Sequence, residues 1–272
     1  MKRIELFEFE DFNWLPKTIR TGVTDLIKVF HKLMGTEAVL TDLILQLKEK
    51  CDFQQIVDLG AGSGGPMLGV IDKVNEKQQQ PIKLLLTDLY PNSEIVNAIN
   101  SQNKATISYA ENSVNAAKIG KAPKGLKTMI ASFHHTNPNI ARQILKSAEA
   151  SKSPILIYEL AKNNIPLLLW LLFLPLSLLI LFVMSLVMTL FVRPLSFSQI
   201  FFTYLIPIIP MVYAWDGQAS LMRTYTFKDV EELLGEQAED YDWEIADAKK
   251  ADGKKLGYYI MGYPKKKFLR KD

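Results

Sequence analysis

The sequence predicts an α/β protein: a doubly wound, mostly parallel seven-stranded sheet that ends in an antiparallel hairpin, with a hydrophobic helical hairpin inserted into it. Three observations predict this. Five short apolar runs alternate with segments of helical periodicity between Gln55 and Glu159, the order that builds a parallel sheet covered on both faces. Near the C-terminus, Asp252-Gly253 separates two further strand-like runs, a strong hairpin signal. Between them, from Ile165 to Val192, no residue is charged.

Residues 1 to about 50 read as helical, with Val23, Leu26, Ile27, Phe30 and Leu33, then Val39, Leu40, Leu43 and Leu47, at helical spacing. Gln55 to Leu59 is a short strand running into a glycine-rich turn, and Met67 to Val74 is the following helix. Lys83 to Asp88 is the second strand, closed by the turn signal Tyr90-Pro91-Asn92-Ser93. A helix over Ser93 to Ile99 leads to a weaker third strand, Thr106 to Tyr109. Lys127 to Phe133 is the fourth strand, Asn139 to Ala150 its helix, and Pro154 to Glu159 the fifth strand. After the apolar block, Thr226 with Asp229 three residues on marks a helix start reaching Leu234. Asp242 to Ala248 and Lys255 to Met261 form the closing hairpin.

A formal net charge of +3 is close to balanced and lacks the basic face of a nucleic-acid binder, so no nucleic-acid partner is expected. The one dense basic run is Lys265, Lys266, Lys267, Arg270 and Lys271, either a solvated end or a contact for anionic lipid. The single cysteine, Cys51, excludes an internal disulfide and a cysteine-based zinc cluster; no metal is expected. The N-terminus mixes acids with apolar residues, so no secretory signal is expected.

Ile165 to Val192 is long enough to cross a bilayer, which takes about 20 apolar residues. Arg193 and a polar break follow, and Ile200 to Tyr213 is apolar again but carries Pro207 and Pro210. This second segment crosses with a broken end or turns back at the interface. Buried helices of a soluble core are the alternative.

Gly60, Gly62 and Gly65 fit G-x-G-x-x-G, a pattern shared with dinucleotide sites. Asp58, two residues ahead of the first glycine, would repel a pyrophosphate at that point and suits a ligand with a cationic amino group. The run Asp58-Leu59-Gly60-Ala61-Gly62-Ser63-Gly64 resembles the first motif of class I S-adenosylmethionine-dependent methyltransferases. The resemblance covers about two thirds of the chain, from Ile56 to Glu159 plus the final hairpin. It implies a Rossmann-like fold, S-adenosyl-L-methionine as cofactor, and a cofactor site of Asp58, Gly60, Ala61, Gly62, Gly64, Asp88 and Ser132. Asp88 would take both ribose hydroxyls, Leu89 would flank the adenine, and Glu111-Asn112 would stand near its amino group. Ser132-Phe133-His134-His135 ends the fourth strand as in the small-molecule branch. The departure is the apolar insert, where members usually place a helix directly after the fifth strand. Since the chain must return to the same sheet, an even number of crossings or a re-entrant pair is expected.

His134 and His135 are candidates to take a proton from an acceptor hydroxyl, or they cap the next helix and shape the pocket. Asp216 and Arg223 are candidates to line the acceptor pocket. In the plainer reading Trp215 anchors at the membrane interface, Arg223 meets a headgroup, and Asp216 is turn chemistry. Trp14 and Arg20 belong either to an N-terminal lid or, for Trp14, to core packing. Asp72, Asp229 and Glu231-Glu232 read as solvated helix faces. The expected organisation is a helical lid (1–50), a cofactor-binding core (51–163), a membrane hairpin (164–214), and a C-terminal helix and hairpin completing the core (215–272). The expected activity is methyl transfer to a small, hydrophobic or lipid-like acceptor by a membrane protein whose catalytic domain faces the cytoplasm. A nicotinamide-dependent oxidoreductase and a non-catalytic cofactor-binding module docking a partner are the alternatives. Oligomeric state and acceptor identity are left open.

Overall fold

The structure, a computed structural model, describes residues 1–265. In chain order its elements are α1 (Lys17–Met34), α2 (Thr36–Lys50), β1 (Gln55–Leu59), α3 (Met67–Glu76), β2 (Lys83–Thr87), α4 (Ser93–Asn100), β3 (Ile107–Tyr109), β4 (Leu126–Ile130), α5 (Pro138–Ala150), β5 (Ile155–Glu159), α6 (Leu167–Thr189), α7 (Phe197–Ile200), α8 (Ile208–Arg223), α9 (Phe227–Leu234), β6 (Tyr241–Lys249) and β7 (Lys255–Pro264). They form two compact units. One joins Gly35–Leu160 to the chain from Phe227 onward, and the other joins Met1–Met34 to Ala161–Thr226.

The first unit is a seven-stranded sheet of order β3-β2-β1-β4-β5-β7-β6. β1 to β5 are parallel, and β7 pairs antiparallel with both β5 and β6, as the alternating pattern and the Asp252-Gly253 turn predict. The strand order reverses between β1 and β4. Right-handed crossovers on either side of that reversal put helices on opposite faces, the doubly wound arrangement. Every residue of β5 is buried, and so are Ile56, Val57, Leu84, Leu86 and Met129 of the neighbouring strands. Each such side chain contributes about 1.5–3 kcal/mol when fully buried. The helices start where local chemistry directs them. Asn92 caps α4 by accepting from the amides of Glu94 and Ile95, and Asn137 caps α5 by accepting from that of Ile140. Cys51 is buried with its Sγ donating to the Leu47 carbonyl.

Some expectations need correction. β4 stops at Ile130, and Phe133–His135 form a 3₁₀ turn rather than strand, because Ala131 adopts φ +49° and breaks the extended run. Asp229 is not solvated; it is 2% exposed in the first turn of α9, where a carboxylate is stabilised by the helix dipole. Of the basic tail, Lys266, Lys267, Arg270 and Lys271 lie outside the described residues, while Lys265 caps the Glu239 carbonyl and sits 3.4 Å from Asp242.

The second unit is helical. The apolar face of α1 (Ile19, Val23, Leu26, Val29) packs with Met188 and Val192 at the end of α6 and with Ile209, Val212 and Tyr213 of α8. Gly22 makes this approach possible: a Cβ there would stand 2.3 Å from Ile209 Cδ1 and 2.8 Å from Gln199 Oε1. α6 has a mean hydropathy of 2.8 over its most apolar stretch, of which 6% is buried. The second apolar segment is broken, as Pro207 and Pro210 predict: Phe197–Leu205 and Ile208–Arg223 meet at 78°.

Candidate active site

The C-terminal ends of β1, β2, β4 and β5 lie side by side, since Asp58 pairs with Leu86 and Thr128, and Ile130 with Tyr158. Ligands of open α/β sheets bind at this edge, where the strand order reverses. The chain leaves β1 there in a turn whose Gly60, Gly62 and Gly64 take φ of +68°, +53° and +90°, values that side chains with a Cβ avoid. Nothing lies within 4 Å of a Cβ built on Gly62.

Asp88, just beyond β2, accepts from the Gly62 amide at 3.1 Å and from the Tyr90 amide at 2.9 Å. It thereby ties the second strand end to the glycine turn. Tyr109, from β3, donates its hydroxyl to the Gly62 carbonyl at 2.9 Å. Asp58 is 3% exposed, and Oδ1 accepts from the Thr128 hydroxyl at 2.5 Å. Burial pushes its carboxyl up to about 7, opposed by the Thr128 hydrogen bond and assisted by the nearby Asp88 charge. A cationic group arriving there would favour its ionised form.

Ser132 Oγ is buried without a hydrogen-bond partner among the described residues and lies 3.7 Å from a Cβ built on Gly60. A buried hydroxyl left unsatisfied beside an open glycine turn fits a polar ligand lying across the loop. The acids, the glycine turn and this orphan hydroxyl fit a nucleoside bearing a cationic amino acid. Of the remaining sequence candidates, Leu89 is 41% exposed, and Glu111 and Asn112 are exposed after β3.

His134 is held by Glu159, the last residue of β5. One carboxylate oxygen accepts from the His134 amide at 3.0 Å, and the other faces Nδ1 at 2.8 Å. Both residues are buried. A carboxylate can only accept, so Nδ1 carries the hydrogen and Nε2 is the acceptor nitrogen of the neutral ring. The His135 ring centroid is 4.3 Å from that of His134.

Asp216 and Arg223 belong to α8 in the helical unit. Asp216 accepts from the amides of Phe9 (2.7 Å) and Glu10 (3.2 Å). Arg223 is 3% exposed and pairs with Glu8 at 3.0 Å and Asp11 at 2.5 Å, which corrects its reading as a headgroup contact. Trp215 donates to the Phe7 carbonyl and stacks on the Phe7 ring. Trp14 is 66% exposed and stacks on Phe12, so it is not a core residue. Arg20 donates to the carbonyls of Glu10 and Phe12.

The residues that sequence reasoning missed are Glu159, Thr128 and Tyr109. Glu159 carried a readable signal, since it ends an apolar strand in an acid just as Asp58 and Asp88 do. Thr128 and Tyr109 are visible only through strand pairing.

No known protein-family profile matches the chain, and no characterised protein matches it in sequence. Solved structures do. The plantazolicin methyltransferase BpumL in complex with SAH is similar at a TM-score of 0.56 and 13% identity, over 94% of this chain and 93% of that one. The same enzyme with a monoazolic desmethylPZN analog and SAH gives 0.52 and 14%, over 92% and 90%. At such identities the likeness establishes the fold.

Proposed function

We propose that this chain, which has the fold of the class I S-adenosylmethionine-dependent methyltransferases, transfers a methyl group from S-adenosylmethionine to a small, hydrophobic acceptor dissolved in a membrane. The observation that carries this reading is the pair of acids ending adjacent strands, Asp58 and Asp88, with Asp88 bonded to the Gly62 amide of the turn between them. A pyrophosphate would meet two carboxylates there. A nucleoside with a cationic amino acid gains from both. The similar BpumL structures contain SAH, which agrees. Residues Leu167–Thr189, apolar and largely exposed, support the choice of a membrane-dissolved acceptor and a membrane-attached enzyme with its sheet unit in the cytoplasm.

When bound, the cofactor supplies an electrophilic methyl group on a sulfonium. The chain's own residues do the rest. Asp88 would hold the ribose hydroxyls, Asp58 would favour the ammonium, and the Ser132 hydroxyl would gain the partner it lacks. His134, with Nδ1 fixed by Glu159, takes the proton of the acceptor hydroxyl on Nε2 as the oxygen accepts the methyl. His135 borders the acceptor. Leu89 would flank the adenine, and Glu111 and Asn112 would meet its amino group. Asp216 and Arg223 are assigned no chemical step, since their polar atoms hold the N-terminal segment.

Calorimetric titration with S-adenosylmethionine and with NAD tests the cofactor. Asp88→Ala is expected to weaken S-adenosylmethionine by roughly 10–150-fold, the loss of one charged hydrogen-bonded pair; tight NAD binding with none of S-adenosylmethionine would overturn the reading. Turnover of labelled cofactor in lipid extract tests the chemistry. His134→Ala should slow it about 10²–10⁴-fold, and Glu159→Gln should slow it less while shifting the pH profile. No labelled product from any lipid class, with a protein partner co-purifying stoichiometrically, would favour a non-catalytic module.

A further inference from the structure

The exposed surface of the helical unit has a shape that decides how it meets a bilayer. Leu168, Leu172, Leu176, Leu179, Val183, Val187 and Leu190 are between 49% and 81% exposed. They recur at spacings of three and four, so they form one continuous apolar stripe along the whole outer face of α6. Between Leu167 and Ile180 the helix is exposed on nearly all sides, with Trp170 buried against Gln218. Beyond Ile180 it is exposed on the stripe alone, because Ser185, Met188, Thr189 and Val192 turn inward.

The freely exposed part amounts to about 21 Å of helix at 1.5 Å per residue, short of the ~30 Å hydrocarbon core. Extending a crossing into the second half would take α1 with it, since α1 packs on Met188 and Val192. The outer face of α1 carries exposed Lys17, Lys28 and Lys32, and Lys28 pairs with Asp25 at 3.1 Å. Charges facing hydrocarbon are expensive and rare. The second apolar segment offers no straight span either, being bent by 78°. Its exposed Phe197, Leu205 and Met211 are apolar side chains of the same kind. Phe7, Phe12, Trp14 and Trp215 add a stacked aromatic cluster, with Trp14 66% and Phe7 49% exposed, the residue type that sits at headgroup level.

We infer that the helical unit is monotopic: α6 lies in the plane of one leaflet of a phospholipid bilayer with its stripe toward the acyl chains, and the chain does not cross. A bilayer is the occupant because no charged residue stands between Lys162 and Arg193, leaving the stripe without the polar partners that a protein interface uses. The inference rests on the membrane attachment proposed above and not on the chemistry.

The test uses the full chain in a Cys51→Ser background with single cysteines, expressed in cells and probed in right-side-out and inside-out membrane vesicles with a membrane-impermeant maleimide. Lys28→Cys reports the α1 face. Arg193→Cys reports the turn after α6, which any hairpin crossing puts on the opposite side. Ser196→Cys, at an exposed polar position of the same turn, serves should Arg193→Cys misfold. The expected result is labelling of all three in the same vesicle preparation. Labelling of Lys28→Cys in one preparation and of the turn cysteines in the other would overturn the monotopic arrangement while leaving attachment intact. A chain found wholly in the soluble fraction would overturn attachment itself.

Discussion

β5 and α6 are both almost purely apolar, and each belongs to a different compact unit. Ile155, Leu156, Ile157 and Tyr158 of β5 are fully buried, between β4 on one side and β7 on the other. α6 buries 6% of its most apolar stretch. The two runs differ in what the rest of the chain supplies around them. A strand inside a doubly wound sheet is covered by its crossovers, whereas α6 is matched on one side only, by α1 and α8. Apolarity in the sequence is thus a demand for cover, and the fold decides whether the protein itself meets it.

Four substitutions press on this contrast. The largest effect is expected in the sheet. Leu86→Ala, at a fully buried position, should lower unfolding free energy by about 2–5 kcal/mol. Leu172→Ala, 70% exposed, should change it by less than about 0.5 kcal/mol while weakening sedimentation with phospholipid vesicles. Denaturant titration of both variants measures the difference, and equal losses would mean that the stripe is covered by protein.

The next concerns the buried acid ahead of the glycine turn. Asp58 has its folded pKa raised from 3.8 to about 7, so the folded state holds this proton more tightly than the unfolded chain does. This group's contribution is therefore fully present below pH 4 and is lost as pH rises from about 4 to 7. Asp58→Asn removes the dependence. The variant should be more stable than the wild type by a few kcal/mol above pH 7, with the gap closing toward pH 4 in melting curves, and it should bind S-adenosylmethionine more weakly. Stability given up at a binding site is a common trade.

A smaller loss than at Leu86 is expected where α1 seats in the helical unit. Gly22→Ala drives a Cβ to 2.3 Å from a terminal methyl of Ile209 and 2.8 Å from Gln199, both ends of flexible side chains. Overpacking of that kind costs about 1–3 kcal/mol, reduced here by about 1 kcal/mol of better helix propensity. A thermal melt in detergent would register a small loss. A gain would mean that α1 is not seated as tightly as this contact implies.

Much of the fold was legible beforehand because it rests on local signals. The strand alternation, the glycine turn after Leu59, the Asp252-Gly253 hairpin and the asparagine caps all act within a few residues of where they are read. The positions of Asp58 and Asp88, the acids proposed to meet the cofactor, were legible too, since each sits at the end of its own strand. What was not legible depends on partners distant in the chain. Thr128 meets Asp58 only because β4 pairs with β1, and Glu159 meets His134 only because β5 lies beside β4. Arg223 looks like a surface cation in sequence, yet it is buried against Glu8 and Asp11, more than 200 residues away.

By itself, then, the sequence determined the order of the elements, the parallel sheet with its antiparallel end, and the presence of one long uncharged apolar block, because periodicity, turn chemistry and composition are local properties of the chain. Only the tertiary structure decided which acids and hydroxyls converge at the strand ends, which histidine is gripped by a carboxylate, and which face of the apolar block is left exposed. Those outcomes depend on strand pairing and helix packing between segments far apart in sequence, where no local pattern reaches.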